Sequence, residues 1–389
     1  MAHIEGRTDE GFAPVREALQ RNLDAGIEVG ASIVVNIDGE NVVDIWGGYK
    51  DAERTDPWQE DTIVTVWSST KTIVGLAGLM LIDRGLVDPD APVATYWPEF
   101  AANGKENVLV RHLLSHTSGV PAWEQPFVAE DAFDFEASAA RLAAQPGWWE
   151  PGTASGYHAS NFGHLTGELV RRVTGLSFKD FVAQEIAGPV GADFQIGAKP
   201  EDRDRIARML APTGPAAIPT DDIDTESILY RTMIGSVVDP AIANTEGWYN
   251  ADIGAINGHG NARSVARILS AIALGGETNG VRLLRPETIE LIFREQAHGT
   301  DYFLGIPLRW GIGFGLPESE GVPFVRQGKV CFWGGWGGSL IIMDLDRRVT
   351  ISYMMNQMQA GVIGSDVSAG YCAVIESCLQ AVGRTAVTA

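Results

Sequence analysis

Val66-Trp67-Ser68-Ser69-Thr70-Lys71-Thr72-Ile73-Val74-Gly75-Leu76 is the stretch on which the reading of this 389-residue chain turns. A strand-like run, Thr62 to Val66, leads into it, and an apolar helix continues from it to Arg84. If Ser68 occupies the first turn of that helix, residues three apart share a face at about 5–6 Å between Cβ atoms. Lys71 Nζ then reaches Ser68 Oγ, while Ser69 points elsewhere. The apolar residues behind, Ile73, Val74, Leu76, Leu79 and Met80, would strip water from the amine and favour its neutral form, a base for the hydroxyl. The helix start also places the Ser68 backbone N–H where an oxyanion could form. Taken alone, Ser-x-x-Lys is equally a serine N-cap followed by an exposed lysine. Ser68 is nonetheless the only serine standing three residues before any of the six lysines.

Outward from this stretch the pattern predicts a fold. Phe12, Val15, Leu19 and Leu23 recur at helical spacing up to Gly26. Two β-rich runs follow, Ala31 to Ile37 and Asn41 to Trp46, joined by the hairpin signal Asp38-Gly39. Helix-like segments dominate the middle: 108–115, 137–144, 162–174, 178–186, 264–274 and 286–294. Strand character returns at 338–345 and 349–355, before a last helix over 365–382. Strands at both ends of a chain with helices between predict an α+β fold with one antiparallel sheet built from both termini. Residues 1–86 and 301–389 would form that subdomain, and 87–300 a mainly helical one, with the site between them. Ile4-Glu5-Gly6-Arg7 resembles a protease-cleavage linker and receives no functional weight.

Composition narrows the function. The 29 Lys+Arg and 50 Asp+Glu give a net charge of −21, which argues against nucleic acid or an anionic membrane as partner. The longest apolar run, Ile73 to Ile82, is too short to span a bilayer. Three cysteines, Cys331, Cys372 and Cys378, without metal-type spacing, fit a reduced cytoplasmic protein, and Cys331 reads as a buried strand residue.

Three further motifs follow the first in order: Arg111-His112-Leu113-Leu114-Ser115-His116-Thr117-Ser118-Gly119, then Glu150-Pro151-Gly152-Thr153 ahead of Tyr157, then Trp333-Gly334-Gly335-Trp336-Gly337-Gly338-Ser339. Together with Ser-x-x-Lys they resemble the serine β-lactamase/penicillin-binding superfamily. The resemblance is nearest to the class C β-lactamase-like esterases, the family VIII carboxylesterases, and runs from about Gly30 to Met355. It implies a β-lactamase/transpeptidase-like fold and a cofactor-free, metal-free serine esterase acting on small esters through an acyl-enzyme. By the same resemblance Ser68 is the nucleophile, Lys71 its base and Tyr157 a proton relay hydrogen-bonded to Lys71. The family's Tyr-x-Asn reads Tyr157-His158-Ala159 here, so Ala159 stands where an asparagine is usual. Trp-Gly-Gly starting at Trp333 replaces Lys-Thr-Gly, which makes the Trp336 N–H the second oxyanion donor and puts Trp333, Gly334 and Gly335, with His158 and Ala159, beside the substrate. Loss of the lysine and the asparagine removes two polar anchors for a charged β-lactam and favours an uncharged acyl ester. Trp123, Trp148, Trp149, Trp248 and Trp310 are candidates for the pocket wall.

Other signals carry less. No Gly-x-Ser-x-Gly occurs, so the α/β-hydrolase elbow is absent. His112 and His116 have helical metal spacing but no supporting carboxylate motif. A Ser–His–Asp reading through His158 or His259 is easy to invent among seven histidines. The loop Asn257 to Arg263 lacks phosphate-binding spacing and reads as a pocket rim. Amide hydrolysis, acyl transfer and a catalytically silent ligand-binding protein stay open as alternatives. The oligomeric state is not legible.

Overall fold

Asp38 and Gly39 both adopt positive φ, 52° and 95°, which a two-residue hairpin loop matched to strand twist requires. The computed structural model describes residues 3–212 and 223–385. In it this turn joins Gly30–Ile37 to Glu40–Gly48. They belong to a nine-stranded antiparallel sheet in the order Ile4–Thr8, Glu40–Gly48, Gly30–Ile37, Val349–Met355, Leu340–Asp344, Val330–Gly334, Gly315–Leu316, Pro307–Trp310, Ala297–Thr300. The expected sheet from both ends of the chain is present, and its central strands are buried on both faces.

Several elements differ from expectation. Ile4-Glu5-Gly6-Arg7 lies within an edge strand, Glu5 opposite Trp46 and Arg7 opposite Asp44, so this segment is part of the sheet. Ala297–Thr300, Pro307–Trp310 and Gly315–Leu316 are too short and too rich in glycine to alternate visibly, and pairing alone makes them strands. Ile63–Thr65 joins a separate four-stranded sheet with Gln195–Ile196, Ile206–Ala207 and Gly258–Gly260. The supposed rim loop is therefore a buried strand followed by the N-cap Asn261 of helix Ala262–Ala273. The helix expected over 178–186 is α-helical at Phe178–Phe181 and a π-helix over Val182–Ala187.

Helix Ala262–Ala273 packs on the central strands, and Ala297–Thr300 forms an edge, so the sheet layer takes chain from before residue 301. Helices Phe135–Ala144 and Phe162–Thr174 pack together in the other layer. Between the layers runs helix Thr70–Asp83, buried from Thr70 to Leu81, against Phe162–Thr174 on one side and Val330–Gly334 on another. Its closeness depends on absent side chains: a Cβ on Gly75 would lie 2.3 Å from the Gly313 carbonyl oxygen. No helix among the described residues is long and apolar enough to cross a membrane.

Candidate active site

The chain enters the site through strain. Trp67, immediately before Ser68, has φ 48°, a left-handed conformation unusual for a bulky residue. Packing over-determines it: the ring lies 5.3 Å from Trp248 and 5.2 Å from Trp336, and Thr70 Oγ1 donates to the Trp67 carbonyl. A 3₁₀ turn, Trp67–Ser69, then carries Ser68 into the helix. Ser69 pairs with Ser339 at 3.0 Å, and the Ser339 hydroxyl donates to the Val66 carbonyl, so Ser69 does point elsewhere.

Lys71 is buried, and its Nζ lies 2.9 Å from Ser68 Oγ, 2.7 Å from the Ala159 carbonyl oxygen and 3.2 Å from that of Ala255. Two of these partners can only accept. A neutral amine has two N–H groups and one lone pair; with the N–H groups on the two carbonyls, the lone pair faces the serine hydroxyl. Burial drives the amine well below the ordinary lysine range, towards that neutral form.

Tyr157 is also buried, but it does not meet Lys71 as expected. Lys71 Nζ sits over the phenol ring, 4.8 Å from its centroid, and among the described residues no hydrogen bond joins the two polar ends. The Tyr157 hydroxyl lies instead near Ser68, and the Trp333 indole N–H donates to it at 3.0 Å. Burial, and behind it the charge of Asp301, hold the phenol above its usual range, so it is a neutral O–H. Ser68 therefore has the Lys71 amine on its oxygen and the phenol hydroxyl close by.

The strand end opposite approaches the Ser68 turn closely. A Cβ on Gly335 would lie 2.2 Å from Ser339 Oγ and 2.6 Å from the Val66 carbonyl oxygen, which only glycine avoids. The N–H groups of Ser68 and Trp336 take part in no described backbone hydrogen bond.

Other expected site residues fall differently. Trp333 is buried, packs on Trp310, and directs its N–H at the Tyr157 hydroxyl. Both nitrogens of His158 are engaged, Nε2 with Ser118 and Nδ1 with the Gly156 carbonyl, and burial pushes the ring down to about 3. Ala159 acts through its carbonyl. Gly334 packs against the Ile363–Gly364 backbone. Trp123 stacks on Phe127 in the helical layer, and Trp148 carries Arg231 over its face at 4.1 Å. His112 Nδ1 and His116 Nδ1 each accept a backbone N–H, and His259 bonds Thr65 and Asn257. Ala255, whose only contribution is a carbonyl, leaves no signal in a sequence.

The profile of the Beta-lactamase family matches residues 15–366. The Esterase/beta-lactamase LipL of Mycobacterium tuberculosis is 32% identical over 394 residues, covering 98% of this chain and 89% of that protein. Esterase EstB of Burkholderia gladioli is 29% identical over 374 residues, covering 86% and 88%. Among solved structures, a family VIII carboxylesterase superposes with TM-score 0.89 at 37% identity, over 97% of this chain and 100% of its own. With the serine, the amine and the phenol assembled as described, this chain belongs to the beta-lactamase family and is a hydrolase of the esterase/beta-lactamase fold.

Proposed function

We propose that the protein is a cofactor-free serine carboxylesterase that cleaves small, uncharged carboxylic esters through an acyl-enzyme. The observation that carries this is the environment of Lys71 Nζ: two carbonyls fix its N–H groups, and Ser68 Oγ is its third neighbour. Lys71 takes the Ser68 proton as Oγ attacks the ester carbonyl. The N–H groups of Ser68 and Trp336 receive the oxyanion. As the intermediate collapses, the C–O bond to the alcohol breaks. The phenol of Tyr157 protonates the leaving oxygen and is reprotonated from the Lys71 ammonium through a water molecule, restoring both groups. Water then attacks the acyl-enzyme with the same groups acting in reverse.

The acyl preference follows from what the site lacks. An indole replaces a cation at 333 and a methyl replaces an amide at 159, so a substrate carboxylate would be buried without a partner. LipL, named an esterase/beta-lactamase, and EstB, named an esterase, support ester chemistry. Three buried, unpaired cysteines fit a reducing cytoplasm.

The test is kinetic. Ser68→Ala should lower turnover of p-nitrophenyl butyrate by at least about 1,000-fold with an unchanged circular dichroism spectrum. Wild-type efficiency on the butyrate should exceed that on nitrocefin by a wide margin. Retained turnover in Ser68→Ala, or comparable efficiencies on the two substrates, would overturn the reading. A fluorophosphonate adduct on Ser68 separates an enzyme from a silent binding protein.

A further inference from the structure

The backbone that carries Tyr157 is held at three consecutive N–H groups by residues from two distant segments. Gly156 N–H donates to the His116 carbonyl at 3.0 Å, Tyr157 N–H to Asp301 Oδ1 at 3.0 Å, and His158 N–H to His116 Nδ1 at 3.1 Å. Asp301 is fully buried, and its Oδ1 also accepts the N–H groups of Phe303 and Leu304, each at 3.0 Å. Tyr302 N–H donates to the Ser155 carbonyl, so the same turn grips the Tyr157 loop twice. The other carboxylate oxygen, Oδ2, is buried with no partner among the described residues. A buried carboxylate without a cation is costly, and a hydrogen-bond acceptor of any charge could hold the 303–304 turn. Its place directly under the phenol-bearing residue accounts for its presence better than the turn alone.

We propose that Asp301 is a positioning residue for Tyr157. By gathering the Tyr157, Phe303 and Leu304 N–H groups on one oxygen, it ties the phenol's backbone to the turn beside the sheet edge and fixes the hydroxyl between Ser68 and Trp333. His116 closes the clamp from the opposite side: its ring lies 5.1 Å from the phenol and 4.3 Å from Trp310. Its own backbone is in the left-handed region, φ 60°, which turns the carbonyl and the ring nitrogen towards the same loop. The proposal rests on Tyr157 acting in the ester cleavage described above. The negative charge beside the phenol also disfavours phenolate, in keeping with a hydroxyl that donates its proton and is promptly reprotonated.

The experiment is a double-mutant cycle on the full chain, with p-nitrophenyl butyrate kinetics and thermal melting of every variant. Asp301→Ala should lower kcat by about 10–100-fold with KM little changed, because the phenol is misplaced while the pocket persists. In a Tyr157→Phe background the same substitution should cost no more than about twofold, since the group it positions is gone. Asp301→Asn, which keeps an acceptor oxygen for the three N–H groups, should recover most of the lost kcat. An equal loss in both backgrounds would make Asp301 merely structural and overturn the proposal, as would an unchanged kcat in Asp301→Ala. If Asp301→Ala does not fold, Asp301→Leu, which fills the same space without an acceptor oxygen, takes its place in the cycle. A Tyr157→Phe enzyme as active as wild type would instead overturn the role of Tyr157 itself, and a Ser68→Ala enzyme that still turns over would overturn the whole catalytic reading.

Discussion

Lys71 and Lys105 are both buried, and among the described residues neither is paired with a carboxylate, yet their surroundings ask opposite things of the amine. Lys105 Nζ contacts three carbonyl oxygens, of Ala102 at 2.7 Å, Ala143 at 3.0 Å and Gln145. Two of these lie at the end of helix Phe135–Ala144, where the last carbonyls lack partners and the dipole favours a cation. Three acceptors match the three N–H groups of an ammonium. Burial lowers Lys105 to about 8, with Glu124 acting against it. Lys71 has two carbonyls and a hydroxyl, and burial acts on it unopposed. One lysine closes a helix; the other is arranged to keep a lone pair facing a serine. The difference lies in one partner atom, which is why burial alone does not identify a catalytic lysine.

The sharpest way to break this comparison is to remove each amine. Lys71→Met should lower kcat/KM by about 10²–10⁴-fold, the span general-base catalysis covers. Lys105→Met should leave kcat/KM of the folded enzyme unchanged and lower unfolding free energy by about 1–3 kcal/mol, because carbonyls at the helix end lose their donor. Urea melts and ester kinetics on both variants check this, and reversed outcomes would exchange the assignments. Next in size is Gly335→Ala. Its Cβ would force the strand end away from Val66 and Ser339, so kcat should fall by about 10²-fold with Lys71 and Ser68 untouched. Wild-type kcat there would mean that the lysine environment suffices without the close approach.

The smallest effect is a pH dependence of stability. Both lysines have folded-state pKa values depressed below the unfolded value, so below that value the unfolded chain binds a proton that the native chain resists. Wild-type stability relative to Lys71→Met should therefore fall as pH is lowered from the ordinary lysine range. Relative to Lys105→Met it should level off below about pH 8, where the native amine is protonated too. Stability differences from denaturant titrations across the range decide it; parallel curves would contradict the distinction.

Much of this was legible before the fold was known. Ser68 and Lys71 are three residues apart on one helix, and local geometry alone brings them together. The Asp38-Gly39 turn, helix Phe162–Thr174 and the late strands likewise follow from local pattern. The orientation of Trp333 was not legible, because its N–H meets a hydroxyl 176 positions away. The same holds for Asp301, 144 positions from the N–H it accepts, and for Ala255, which contributes only a carbonyl 184 positions from Lys71. The Tyr157 contact differs from the expected one for a related reason. A resemblance transfers residue types in order, whereas whether an amine meets a phenol by its oxygen or its ring depends on packing from four separate segments. Ile4-Glu5-Gly6-Arg7 reads as a linker by its letters and is an edge strand in the fold, since an edge is defined by its neighbour.

The measurement that tests the account most directly is the protonation of Lys71 itself, by NMR of lysine side-chain nitrogen labelled with ¹⁵N and assigned through Lys71→Met. With only six lysines the spectrum is tractable. The account predicts that in the active enzyme the Lys71 resonance is that of a neutral amine, reached well below the ordinary lysine range. A Lys71 resonance that stays an ammonium up to the ordinary lysine range would contradict it.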